Sequence, residues 1–181
     1  MITRFSNYII TGIFSIIFFL FVAIEVNSQN EVYEIARHGC VEDLQPILKD
    51  SPEVINYKNT SGFTPLILAS YHGNVEVATL LAKHVKEINV NSDSGTALMA
   101  AVFKNDIAIT KMLLELGADA NIPDSNGTTA LHYATRFSNK EIIKLLVAHG
   151  ADLNLEDNKG FSVLDYALQD KNESILELLK N

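Results

Sequence analysis

His132 stands in the stretch NGTTALHYATRFSN, residues 126–139, with hydroxyls around it at Thr128, Thr129 and Thr135. A histidine among hydroxyls is the raw material of general-base or nucleophilic catalysis, provided that one hydroxyl is held within hydrogen-bond reach and a third group orients the ring. Four further histidines, His38, His72, His84 and His149, could carry protons or bind a metal, and Cys40 is the single cysteine. No two of the five histidines take an H-E-x-x-H spacing, and one cysteine cannot build a thiolate zinc site. The glycines form no phosphate-cradling loop, and no G-x-S-x-G elbow occurs. Residue types and spacing thus predict no enzyme, no catalytic residue, no metal and no cofactor.

The elements that must hold these residues explain why. Four segments align: SGFTPLILASYHGN from Ser61, SGTALMAAVFKND from Ser94, NGTTALHYATRFSN from Asn126 and KGFSVLDYALQDKN from Lys159. Gly62, Gly95, Gly127 and Gly160 lie 33, 32 and 33 residues apart, and Leu66, Leu98, Leu131 and Leu164 lie 32, 33 and 33 apart. A fixed period of this length is the mark of a stacked-repeat architecture. Thr64, Thr96, Thr129 and Ser162 are helix N-caps by type, and Pro65 follows the first at a position where a missing N–H costs nothing. Each capped helix carries a small residue, Ala69, Ala101, Ala134 or Ala167, that lets neighbours approach closely. A second helix follows in each unit, with apolar residues at helical spacing: Val77 and Leu81, Ile109 and Leu113, Ile142 and Leu146, Ile175 and Leu179. Gly117 and Gly150 end two of them, where the chain must leave through a left-handed residue. No unit can bury its own stripe, so stacking makes the core.

These motifs resemble the ankyrin repeat, with its T-P-L-H helix start and G-A-D turn. The resemblance implies an all-α solenoid of stacked helix-turn-helix units with hairpin-like loops. It divides the chain into a degenerate N-terminal capping repeat over 29–58, repeats over 59–91, 92–123 and 124–156, and a C-terminal capping repeat over 157–181. Ala36, Gly39, Leu44 and Leu48 put VYEIARHGCVEDLQPIL on the pattern, although Pro46 falls inside its second helix. His132 takes the place of the motif histidine, which is structural in the family, and Thr129 that of a cap. His38 and His72 occupy equivalent places in successive repeats and could approach one another, which leaves a weak surface metal site conceivable but disfavoured.

The resemblance also implies a concave groove, lined by the ends of the first helices and the loop tips, where partners bind. The free pair after each small-residue position reads Arg37 and His38, Tyr71 and His72, Phe103 and Lys104, Arg136 and Phe137, then Gln169 and Asp170. The first four pairs hold rings and cations and no acid, in a chain of net charge −8. Arg, Tyr and Phe are also types that interface centres favour. These eight residues are the expected partner-binding set, suited to an extended or loop-like protein segment with carboxylates and apolar side chains. Loop tips add Asn59, Thr60, Phe63, Asp93, Ser125, Asn126, Asp157, Asn158 and Phe161. The acids Glu76, Glu115, Glu141 and Glu177 read as a solvated outer face.

Composition bounds the rest. The 181 residues are 48% hydrophobic and 20% charged, a globular balance, and 14 cations against 22 anions with no clustered cationic run exclude a nucleic-acid partner. Arg4, the apolar run from Tyr8 to Ile24, and the small Val26 and Ser28 form the layout of a secretory signal peptide over residues 1–28. Left uncleaved, the same run would be an N-terminal anchor, the only contact with a membrane that the sequence suggests; in both cases the positive-inside rule exports the repeats. One cysteine excludes an internal disulfide, and Cys40 reads as a buried or idle thiol that could otherwise pair between chains. The expectation is an exported, monomeric binding protein, periplasmic or secreted. Two alternatives remain, a dedicated inhibitor of one enzyme and a membrane-tethered scaffold.

Overall fold

A computed structural model describes residues 29–180. Helices alternate with turns along this span. Residues 29–38 are helical (α1), followed by α2 (Val41–Asp50), a 3-10 turn at Pro52–Asn56, α3 (Pro65–His72), α4 (Val75–His84), α5 (Ala97–Phe103), α6 (Ile107–Glu115), α7 (Ala130–Arg136), α8 (Lys140–Ala148), α9 (Val163–Gln169) and α10 (Glu173–Lys180). Among the described residues the one β-type feature is a bridge between Ser92 and Gly95. No described helix is long and apolar enough to cross a membrane, and the Tyr8–Ile24 run lies outside the described residues.

Helices pair within each unit, and the units stack. The first helices form one row, α3 on α5, α5 on α7 and α7 on α9, while the second helices form another, α4 on α6, α6 on α8 and α8 on α10. The caps set the register of the first row. Thr64 Oγ1 accepts from Ile67 N–H and Thr96 Oγ1 from Met99 N–H, each at 3.3 Å, and Ser162 Oγ accepts from Asp165 N–H at 3.3 Å. Ala69, Ala101, Ala134 and Ala167 are buried between the rows, as are Val77, Leu81, Ile109, Leu113, Ile142, Leu146, Ile175 and Leu179. Removing such side chains from water at about 25 cal/mol per Å² is what holds neighbouring units together.

Turns between units are stitched by side-chain amides. Asn89 Oδ1 accepts from Asp119 N–H at 2.9 Å, and Asn121 repeats the bond one unit on, taking Asp152 N–H at 2.7 Å and donating to the Gly150 carbonyl at 2.9 Å. Gly117 and Gly150 sit at φ 91° and 84°, as the helix stops require. Gly95 sits at φ 102°, and a Cβ there would also meet Met99 Sδ at 2.6 Å. The turn between the two helices of a unit also needs a left-handed residue. Gly73 supplies it once, but Asn105, Ser138 and Lys171 supply it at φ 59°, 55° and 51° in the other units.

Two local expectations resolve in the N-terminal unit. Helix α2 runs unbroken through Pro46, which lies on its exposed face with Glu42, so water can satisfy the carbonyl that Pro46 cannot reach. Cys40 is exposed rather than buried, because it takes the cap position of α2, with Sγ 3.1 Å from Asp43 Oδ2. That hydrogen bond to the carboxylate holds the thiol above its ordinary range, which makes it a poor nucleophile.

Candidate functional site

Stacking sets the ends of the first helices side by side, and these ends carry the expected binding residues. Tyr71 stacks on Phe103 with centroids 6.2 Å apart and planes 18° from parallel, and Phe103 meets Phe137 edge-on at 5.6 Å. Tyr133 completes the band, 5.9 Å from Phe103 and stacked at 6.3 Å on Phe137. Tyr71, Phe103 and Phe137 remain 42%, 47% and 48% exposed despite these contacts. Aromatic pairs at such distances gain about 0.5–1.5 kcal/mol each, which fixes the rings while leaving their outer faces open.

The opposite wall is built by the loop fingers. Asp124 Oδ1 accepts from Asn126 N–H at 2.8 Å and Thr128 N–H at 2.9 Å, and Asn59 and Asp157 fold their own fingers in the same way. The second oxygen of Asp124 accepts the Tyr133 hydroxyl at 2.9 Å, so one carboxylate ties finger to helix. Burial, and then this bond to an anion, push Tyr133 up to about 12. Tyr166 and Asp157 repeat the brace one unit later. Between fingers and helices lies a groove of about 700 Å³. Its walls include Phe63, Met99, Tyr71, Phe103 and Tyr133, with Arg37 at one end.

The eight residues expected to bind a partner thus occupy one continuous line, but not one environment. Arg37 is half-buried and pairs with Glu34 at 2.6 Å, whereas His38, His72, Lys104 and Arg136 are exposed. Lys104 Nζ lies 5.0 Å from the Tyr71 ring centre, while Arg136 turns toward the last unit, 5.6 Å from the Tyr166 ring. His38 and His72 meet edge-on with ring centroids 5.3 Å apart. Of the loop-tip residues, Asn59, Phe63, Asp93, Ser125 and Asn126 line the groove, so acids do reach it, through Asp93 and Asp124. Tyr133 escaped the sequence reading. Its signal was the recurrence of Asp124 and Tyr133, nine residues apart, as Asp157 and Tyr166.

His132 is fully buried, at the joint between two units. Its Nδ1 accepts Thr129 N–H at 3.2 Å, which assigns the proton to Nε2, and Nε2 donates to the Phe161 carbonyl at 3.2 Å. The ring therefore welds one unit to the next finger, and burial holds it below the ordinary imidazole range. Among the described residues no three His, Cys, Asp or Glu side chains gather as a metal site.

Comparison with known proteins agrees with this architecture. Rat "Ankyrin repeat and SAM domain-containing protein 6" is 32% identical over 108 residues, covering 59% of this chain and 12% of that protein. A Rickettsia felis protein named for its ankyrin repeats is 30% identical over 117 residues, covering 63% of this chain and 38% of its own length. The probable E3 ubiquitin-protein ligase XBOS33 of rice is 31% identical over 110 residues, covering 59% of this chain and 21% of its own. The chain thus spans well under half the length of these relatives. A model of ankyrin repeats in three copies matches residues 20–124 and 98–181. With capped helices, left-handed stops and stitched turns recurring in register, the chain belongs to the ankyrin-repeat family, whose repeats are protein-interaction modules.

Proposed function

We propose that this chain is a non-catalytic binding protein that takes an extended or loop-like protein segment along the line from Arg37 to Phe137. The observation that carries the reading is the ring band. Tyr71, Phe103, Tyr133 and Phe137 touch in series across three units, yet three of them stay close to half exposed. Rings already ordered against one another lose little entropy on binding, and exposed contiguous aromatic surface is what interface centres use. Lys104 and Arg136 meet ring faces rather than carboxylates, so a partner's acidic side chains would find cations beside the apolar band.

The setting we propose is outside the cytoplasm, on the strength of Arg4 followed by the Tyr8–Ile24 run. Fold alone selects no partner. The test is capture from a cell extract on the immobilised chain, run beside a variant with Arg37→Glu, Tyr71→Ala, Lys104→Glu and Arg136→Glu, once circular dichroism has shown both to fold equally. A partner held by the first and lost by the second is the expected result. Equal recovery would move the binding surface to the outer helices.

A further inference from the structure

We propose that Arg37, His38, His72 and Lys104, which converge at the N-terminal end of the groove, form a binding site for a phosphate group carried on the partner segment. Three consecutive units supply the four bases: Arg37 and His38 from the end of α1, His72 from the end of α3 and Lys104 from the end of α5. The two imidazoles are in edge contact at 5.3 Å. Tyr71 touches His72 at 5.5 Å and carries the Lys104 ammonium 5.0 Å from its ring centre. Arg37 and His72 line the same groove. Among the described residues the carboxylate that acts on His72 is Glu34, which also engages a single nitrogen of the Arg37 guanidinium; that leaves further donors of the fork for a ligand.

Four bases around one acid are out of keeping with a chain of net charge −8. Their mutual repulsion is visible at His72, which burial and then His38, Arg37 and Lys104 hold below the ordinary imidazole range, against Glu34. An anion seated among them attracts each base, offsets these repulsions and draws a proton onto the imidazole. A phosphate monoester suits the place better than a carboxylate. It carries close to two charges near neutral pH and offers three acceptor oxygens, enough to meet donors from three units at once. A polyphosphate chain does not suit it, because the groove continues past Asp93 and Asp124, whose carboxylates would repel a second phosphate. One phosphate followed by apolar side chains fits both the cluster and the ring band.

The phosphate site stands on its own side chains, while its occupant rests on the proposed role of the groove, and the two can fail separately. The first arm follows the imidazole resonances of His38 and His72 by NMR during pH titration, in inorganic phosphate and in chloride at equal ionic strength. The expected result is a His72 midpoint raised in phosphate by about half a unit or more, a shift abolished in Arg37→Gln paired with Lys104→Gln, which keeps the reporting ring while the anion loses its donors. Coincident titrations in the two salts would overturn the site, whatever the groove binds. The second arm repeats the capture after phosphatase treatment of the extract. A drop in recovery of about tenfold, with no drop for the double variant, supports a phosphate on the partner. Capture that survives dephosphorylation at full strength overturns that occupant and leaves the role of the groove intact.

Discussion

His132 and His72 are both held below the ordinary imidazole range, and burial is the first cause in each case, yet they belong to opposite kinds of place. His132 has both nitrogens spoken for, by Thr129 and Phe161, inside the joint between two units. His72 is exposed at a helix end, and the groups that surround it are three other bases and one acid. A depressed histidine is therefore not in itself a functional residue. What separates the two is whether the partners around the ring satisfy it or leave it short of an anion.

The widest gap between the two regions should appear in stability. His132→Ala leaves a void and two backbone groups without their side-chain partner, a loss of about 2–4 kcal/mol, whereas His72→Ala at the exposed end should cost no more than about 0.5 kcal/mol. Urea unfolding of both variants at pH 7.5 measures this, and equal costs would erase the distinction between joint and site.

Acid should separate the regions next. Both histidines have folded pKa values below the unfolded 6.5, so the unfolded chain binds more protons as the pH falls. Their contribution to stability is complete above pH 6.5 and is lost as the pH drops through the window below it. Replacing His132 should flatten the decline in unfolding free energy between pH 7.5 and 5.5 more than replacing His72, whose exposure admits screening water. A larger flattening from His72→Gln would reverse the assignment of joint and site.

The smallest effect concerns the brace that holds finger to helix. Tyr133→Phe removes the bond to Asp124 and should cost about 1 kcal/mol. Because the folded Tyr133 is pushed up to about 12, its contribution is complete below the unfolded value of 10.0 and is lost as the pH rises through about 12. Ultraviolet titration should show a phenol titrating near 12 that is missing from Tyr133→Phe. A variant that keeps the late phenol would place it on Tyr166, the other tyrosine held by an aspartate.

Much of this architecture was open to reading from the chain alone. Thr64, Thr96 and Ser162 cap their helices because each bond reaches only three residues along, and the alanines at 69, 101, 134 and 167 recur where the rows of helices touch. Other features resisted. Cys40 could be read as buried or idle, and only its place at the start of α2 shows it exposed. The left-handed turns at Asn105, Ser138 and Lys171 gave no glycine signal, since fixed bonds around the turn hold ordinary residues at positive φ there. Tyr133 looked like one more helix residue until the finger carrying Asp124 folded back over it.

Sequence by itself determined the period, the helix starts and stops and the apolar stripes, because these depend on bonds and contacts within one turn or one helix. Tertiary structure alone decided which side chains meet across units. Tyr71 and Phe103, or His38 and His72, lie 32 and 34 residues apart, and nothing local sets the angle at which one unit lands on the next. That angle, fixed by the buried leucines and isoleucines beneath, turns separate helix ends into a band of rings with a cluster of bases at its head.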